Sequence, residues 1–172
     1  MSTEQKELVL ISGASSGIGL AIAEALIEAG FEVIGLARDF SKTQFEHAQF
    51  HKEQMDLSAS EIIQNKLPVL LKSYKRPLRA LINNAGIGRM GYLEQLSVPD
   101  IQQVLATNLT SHILVTKLCL PAMKQQDTLA DLVFIGSEAA LQGGKEGSVY
   151  CASKFGLRGF AQSLRQECAK SP

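Results

Sequence analysis

Tyr150 and Lys154 stand four residues apart in a stretch, Gly147 to about Ala169, whose pattern reads as a helix, so both side chains fall on one face. That pair suits proton transfer to or from a carbonyl oxygen. A free phenol with a pKa of about 10 is a reluctant donor at neutral pH, and an adjacent ammonium stabilises the phenolate and eases the exchange. Taken alone, a Tyr-x-x-x-Lys is an ordinary surface pair of a helix. Ser137 adds a third group. It closes an apolar run that reads as a strand, at the carboxyl edge of a parallel sheet, where its hydroxyl can bond the same carbonyl oxygen. The plainer reading of a strand-end serine is a turn or helix cap.

A second constellation lies near the start of the chain. Ser12-Gly13-Ala14-Ser15-Ser16-Gly17-Ile18-Gly19 falls between an apolar run and a helical pattern, so backbone N–H groups and a helix N-terminus can face a pyrophosphate. Glycine permits the close approach. The bland alternative is a tight turn with no ligand, but this turn sits in the first crossover of an α/β pattern, where a doubly wound sheet places dinucleotides. At the end of the next apolar run an NAD site needs an acid for the ribose 2′-OH, and here Ala37 and Arg38 stand instead. A guanidinium pairs with a 2′-phosphate, so NADP is expected over NAD. Against this stands a solvated Arg38 paired with Asp39.

These groups require a scaffold, and apolar runs of strand length alternating with segments of helical period supply one: an α/β fold, a doubly wound parallel sheet of Rossmann type. Leu8 to Ile11 is the first strand. Ile18, Ile22, Ala25, Leu26 and Ala29 then mark the buried side of a helix that Gly30 closes. Glu32 to Ala37 is the second strand, Arg38 to Gln49 a short helix or a loop, and a third strand ends near Met55. Ser58 with Glu61 predicts a capping box and a helix to about Leu67, where Pro68 interrupts it. Leu78 to Ile82 is the fourth strand. Ser97 with Asp100 predicts another capping box and a long helix burying Ile101, Val104, Leu105, Leu109, Ile113 and Leu114. Asp131 to Ser137 is the fifth strand.

A length of 172 residues predicts one domain over positions 1–172, dinucleotide-binding and catalytic. Seventeen basic and 17 acidic residues cancel with no block of like charge, so neither nucleic acid nor a membrane surface is an expected partner. No metal-ligand spacing stands out. Three cysteines, Cys119, Cys151 and Cys168, without C-x-x-C spacing fit a reducing compartment, and the cytoplasm is the expected location. Glu4 and Glu7 precede the first apolar run, and Gly13, Gly17 and Gly19 interrupt it, which argues against a signal peptide.

Together the motifs resemble the short-chain dehydrogenase/reductase family. Ser12 to Gly19 is similar to its Thr-Gly-x-x-x-Gly-x-Gly loop, with serine in the threonine position. Asn83-Asn84-Ala85-Gly86 looks like its Asn-Asn-Ala-Gly motif, Asp56-Leu57 resembles the pair beside the adenine, and Asn108 matches the family's catalytic asparagine. Ser137, Tyr150 and Lys154 come in the family's order and spacing. The resemblance implies cofactor contacts at Gly13, Ser15, Ser16, Gly17, Ile18, Gly19, Arg38, Asp56, Leu57, Asn84, Ala85, Gly86, Tyr150 and Lys154. It also implies hydride transfer between NADP(H) and a small carbonyl or secondary alcohol. Tyr150 would exchange the proton, Lys154 would bind the ribose and favour the phenolate, Ser137 would polarise the carbonyl, and Asn108 would hold a relay water. Association into a homo-oligomer is implied as well, with Phe155, Phe160 and Leu164 either at such an interface or packed on the sheet.

The match stops at Lys170-Ser171-Pro172, before the family's sixth strand, and the expectation is a piece of a longer enzyme. Leu132-Val133-Phe134-Ile135 would then be an apolar sheet edge. Two further readings stay open: a catalytically silent dinucleotide-binding module or inactive fragment, and the family's extended branch, whose glycine spacing differs from Ser12 to Gly19.

Overall fold

Leu8 to Ser12 (β1) is buried along its whole length, and a strand so enclosed needs cover on both faces. The computed structural model describes residues 6–169; Glu4 and the expected end of the chain at Lys170-Ser171-Pro172 lie outside the described residues. Around β1 run β2 (Glu32–Ala37), β3 (Phe50–Gln54), β4 (Leu78–Asn83) and β5 (Asp131–Phe134), all parallel, in the order β3-β2-β1-β4-β5. The order reverses beside β1, so β1 and β4 diverge to their crossovers and leave a crevice at their carboxyl ends.

Alternation along the strands divides the core. Leu8, Leu10, Ile34, Leu36 and Leu81 point to one face, under α2 (Ser60–Tyr74) and α4 (Ser111–Gln125). Val9, Ile11, Val33 and Ile82 point to the other, under α1 (Gly17–Glu28). The stretch from Arg38 to Gln49 holds no helix; Phe40 and Phe45 pack instead on Phe50, ring centres 6.2 and 5.7 Å apart, and cover β2 and β3 there. The last helix, α5 (Ser148–Cys168), meets β5 through an edge-to-face contact of Phe160 with Phe134 at 5.8 Å. Among the described residues no helix is long and apolar enough to cross a membrane.

Several expectations are corrected. The buried face of α1 runs through Gly19, Ala23 and Ile27, while Ile18 is 62% exposed and Ala25 and Ala29 face solvent. The cause is Gly19 itself: a Cβ there would lie 2.2 Å from the Gly13 carbonyl oxygen, so this backbone contact sets the rotation of the helix. Ser58 does not cap α2, because its N–H and hydroxyl both bond Asp56 Oδ1, at 2.9 and 2.7 Å. Pro68 does not end α2 either. It costs the Gln64 carbonyl its partner, but Gln64 is exposed, so the loss falls where solvent is in reach.

The predicted long helix is three pieces: α3 (Val98–Leu105), a π turn (Ala106–Thr110) and α4. Ser97 does cap it, accepting from Asp100 N at 3.2 Å. The wider turn shifts the inward face onto Val104, Asn108, Ser111, His112, Val115, Thr116 and Cys119, and leaves Ile101, Leu105, Leu109, Ile113 and Leu114 only partly covered. Lastly, β5 stops at Phe134, and Ser137 instead begins a short 3-10 turn, Glu138–Ala140.

Candidate active site

The glycine loop is held from below by side chains. Ser12 Oγ accepts the N–H groups of Asn84 and Ala85 at 3.0 and 3.1 Å, and Asn84 Nδ2 donates to the carbonyls of Ser12 and Gly13 at 3.1 and 3.0 Å. Asn84 is therefore a clamp between β1 and β4, with both amide hydrogens engaged inside the protein. Gly13 has φ +72°, and a Cβ there would meet Ala85 Cα at 2.7 Å, so only glycine keeps the two loops this close. Thr43 adds a brace, donating to the Ser15 carbonyl at 2.7 Å. Thr43 was not singled out by the sequence; Ser12 was read only as the head of the glycine motif, with no bonding role given to it.

Above this base the loop is open. Ser16 caps α1 without a side-chain hydrogen bond, the first turn holds no acidic residue, and a Cβ at Gly17 would meet nothing within 4 Å. These unengaged N–H groups suit an anion. Ser16, Gly17 and Ile18 are exposed, within reach of a ligand. A cleft of about 130 Å³ brings Gly13, Ser15, Arg38, Asp56, Leu57, Ala85 and Gly86 together. Arg38 is exposed and, among the described residues, has no ion-pair partner. Asp39 turns to Ser41 instead, accepting its N–H at 2.8 Å and its hydroxyl at 2.7 Å, and these bonds hold its carboxyl below the usual range.

Lys154 is 4% exposed and donates one bond, to the Ile135 carbonyl at 3.1 Å, leaving two ammonium hydrogens for a ligand. Burial lowers its pKa. Its Nζ stands 5.9 Å from the centre of the half-buried Tyr150 ring. Lys154 and Ser137 share a second cleft of about 300 Å³ with Leu141 and Arg158. Ser137 Oγ accepts the Ala139 N–H at 3.2 Å, which is the capping contact, and its own hydrogen stays free to donate. Asn108 is fully buried at the π turn. Its Oδ1 accepts from Ile87 N at 2.8 Å, and its Nδ2 donates to Ile87 O at 2.9 Å and Ser153 Oγ at 3.2 Å. One lone pair of Oδ1 is what the side chain has left for a water.

His112, the second residue of α4, was not anticipated. It is wholly buried, neither ring nitrogen makes a hydrogen bond among the described residues, and its pKa is pushed down to about 4 by burial and by the Lys154 charge, against a weaker opposing pull from the Ala85 backbone. A larger hollow of about 500 Å³ between α4, β5 and α5, lined by Leu132, Phe134 and Leu164, contains none of these groups and adjoins the Ser137 cleft at Phe134.

A family model described as short chain dehydrogenase matches residues 7–171. Human retinol dehydrogenase 8 is 36% identical over 91% of the chain, which spans only 52% of that relative's length. A solved 4-hydroxyisoleucine dehydrogenase complexed with NADH superposes with a TM-score of 0.87 at 30% identity, covering 96% of this chain and 70% of its own. A metagenomic short-chain oxidoreductase in complex with NADP gives 0.86 at 28% identity, covering 95% and 76%.

Proposed function

The chain belongs to the short-chain dehydrogenase family, and on that premise we propose that it carries the cofactor-binding and catalytic part, spanning 1–172, of an NADP(H)-dependent oxidoreductase of small carbonyls or secondary alcohols. What supports this reading is Lys154, which shares a cleft with Ser137, stands 5.9 Å from the Tyr150 ring and borders Gly86, whose own cleft holds Gly13 and Arg38. A dinucleotide fits these residues. The loop from Gly13 to Gly19 would take the pyrophosphate, Asp56 and Leu57 the adenine side, Arg38 a 2′-phosphate, and the two free hydrogens of Lys154 the nicotinamide ribose. The bound cofactor supplies the hydride.

The protein's own part is position and proton movement. Ser137 donates its hydroxyl hydrogen to the substrate oxygen and Tyr150 gives its phenolic proton to the same atom; the reverse removes it from an alcohol. Lys154 holds its charge near the phenol, and water on Asn108 would resupply the proton. The relatives' cofactors divide between NADH and NADP, so Arg38 decides the preference for NADP in this reading. Free Cys119, Cys151 and Cys168 support a cytoplasmic setting, and Phe155, 44% exposed on α5, supports a homo-oligomer contact, whereas Phe160 and Leu164 pack inward.

The test is NADPH oxidation with a panel of small carbonyls. Tyr150→Phe is expected to lower turnover by about 10²- to 10⁴-fold with cofactor binding kept; a variant as fast as the parent removes the proton donor and the reading with it. A second reading, dinucleotide binding without turnover, is favoured by the exposed lining of the Ser137 cleft, where Leu141 is 65% exposed. Saturable NADPH binding with no carbonyl reduced would select it.

A further inference from the structure

Ser153 precedes Lys154 on α5, and its side chain is wholly buried. Its hydroxyl donates to the Tyr150 carbonyl at 2.6 Å and accepts from Asn108 Nδ2 at 3.2 Å. The directions are fixed, because a carbonyl can only accept and an amide nitrogen can only donate. Asn108 in turn grips Ile87 through both backbone groups. One hydroxyl therefore ties the loop after β4 and the π turn to the backbone of the very residue that bears the phenol. No other side-chain hydrogen bond among the described residues joins the π turn to the first turn of α5.

We infer that Ser153 is a positioning residue for the proposed proton transfer: it sets the first turn of α5 against the π turn, and so sets where the Tyr150 hydroxyl stands relative to the cofactor crevice. This rests on the reading of Tyr150 as proton donor. Losing the bond leaves Asn108 on Ile87 and the glycine loop untouched, so the pyrophosphate and adenine side of the crevice, which sets most of the cofactor affinity, stays as it is. What changes is the freedom of the α5 turn, and misplacement of a reacting group by a fraction of an ångström to an ångström costs about tenfold to hundredfold in rate.

In the full-length chain, Ser153→Ala is expected to lower kcat about tenfold or more, shift the pH profile of kcat, and leave KM for NADPH within about twofold. Ser153→Cys keeps the volume with only a weak donor and should follow the alanine variant. Ser153→Thr keeps the hydroxyl, which can still bond a carbonyl of the preceding turn, and should recover most of the rate. Unfolding midpoints measured alongside identify any variant that lost its fold. Alanine and cysteine variants with parental kcat and pH profile overturn the inference, as does a rate loss that rises in step with KM and is not recovered by threonine. A parent chain that turns over nothing removes the proposed function first, and this inference with it.

Discussion

Arg38 and Asp39 are adjacent in sequence and have opposite charges, yet they do not pair. Asp39 finds two nearer donors in Ser41, so the guanidinium is left over the crevice. Its expected contribution is a charge-assisted hydrogen bond or two to a 2′-phosphate, about 1.5–3 kcal/mol. Arg38→Ala should accordingly raise KM for NADPH about 10- to 100-fold and leave KM for NADH nearly unchanged; equal effects on both cofactors would mean that Arg38 does not read the phosphate. The types and spacing of Ser137, Tyr150 and Lys154 were legible in the chain because each sits at a fixed offset on its own element. The bonding roles of Ser12, Thr43 and Ser153 were not, since a hydroxyl becomes informative only once its partner is known.

At the scale of elements, α4 presents a partly polar face to the sheet, with His112 among Val115, Thr116 and Cys119. A neutral, unpartnered imidazole in that position gives the fold a pH dependence. Its pKa is about 4 in the fold against an ordinary 6.5, so the unfolded chain binds the proton more readily. The stabilisation is full above pH 6.5 and is lost as pH falls toward 4, by up to about 3 kcal/mol. His112→Leu should remove that slope from urea unfolding measured between those pH values, and an unchanged slope would assign it to other groups. Helix rotation and breaks were where the sequence misled. The contact of Gly19 with the Gly13 carbonyl turns α1, the π turn at Ala106–Thr110 turns α4, and neither leaves a mark in hydrophobic period.

At the scale of the molecule, β5 is the edge strand of the sheet among the described residues, with Val133 38% exposed and a hollow along the α4 and α5 side lined in part by Leu132, Phe134 and Leu164. Unpaired strand groups beside apolar surface favour pairing with another strand. The chain should elute as concentration-dependent oligomers in size-exclusion chromatography, and Val133→Lys should shift it toward the monomer; an elution volume insensitive to both concentration and that substitution would show the edge to be inert. The sequence by itself determined the α/β class, the glycine loop after the first strand, and the order of Ser137, Tyr150 and Lys154, because these depend on local period and on offsets within one element. Only the tertiary structure decided that the Asn84 amide clamps β1 to β4, that Arg38 has no ion-pair partner among the described residues, and that Ser153 and Asn108 join three segments. Those outcomes depend on which of several competing partners lies nearest once distant segments meet, and chain order does not encode that distance.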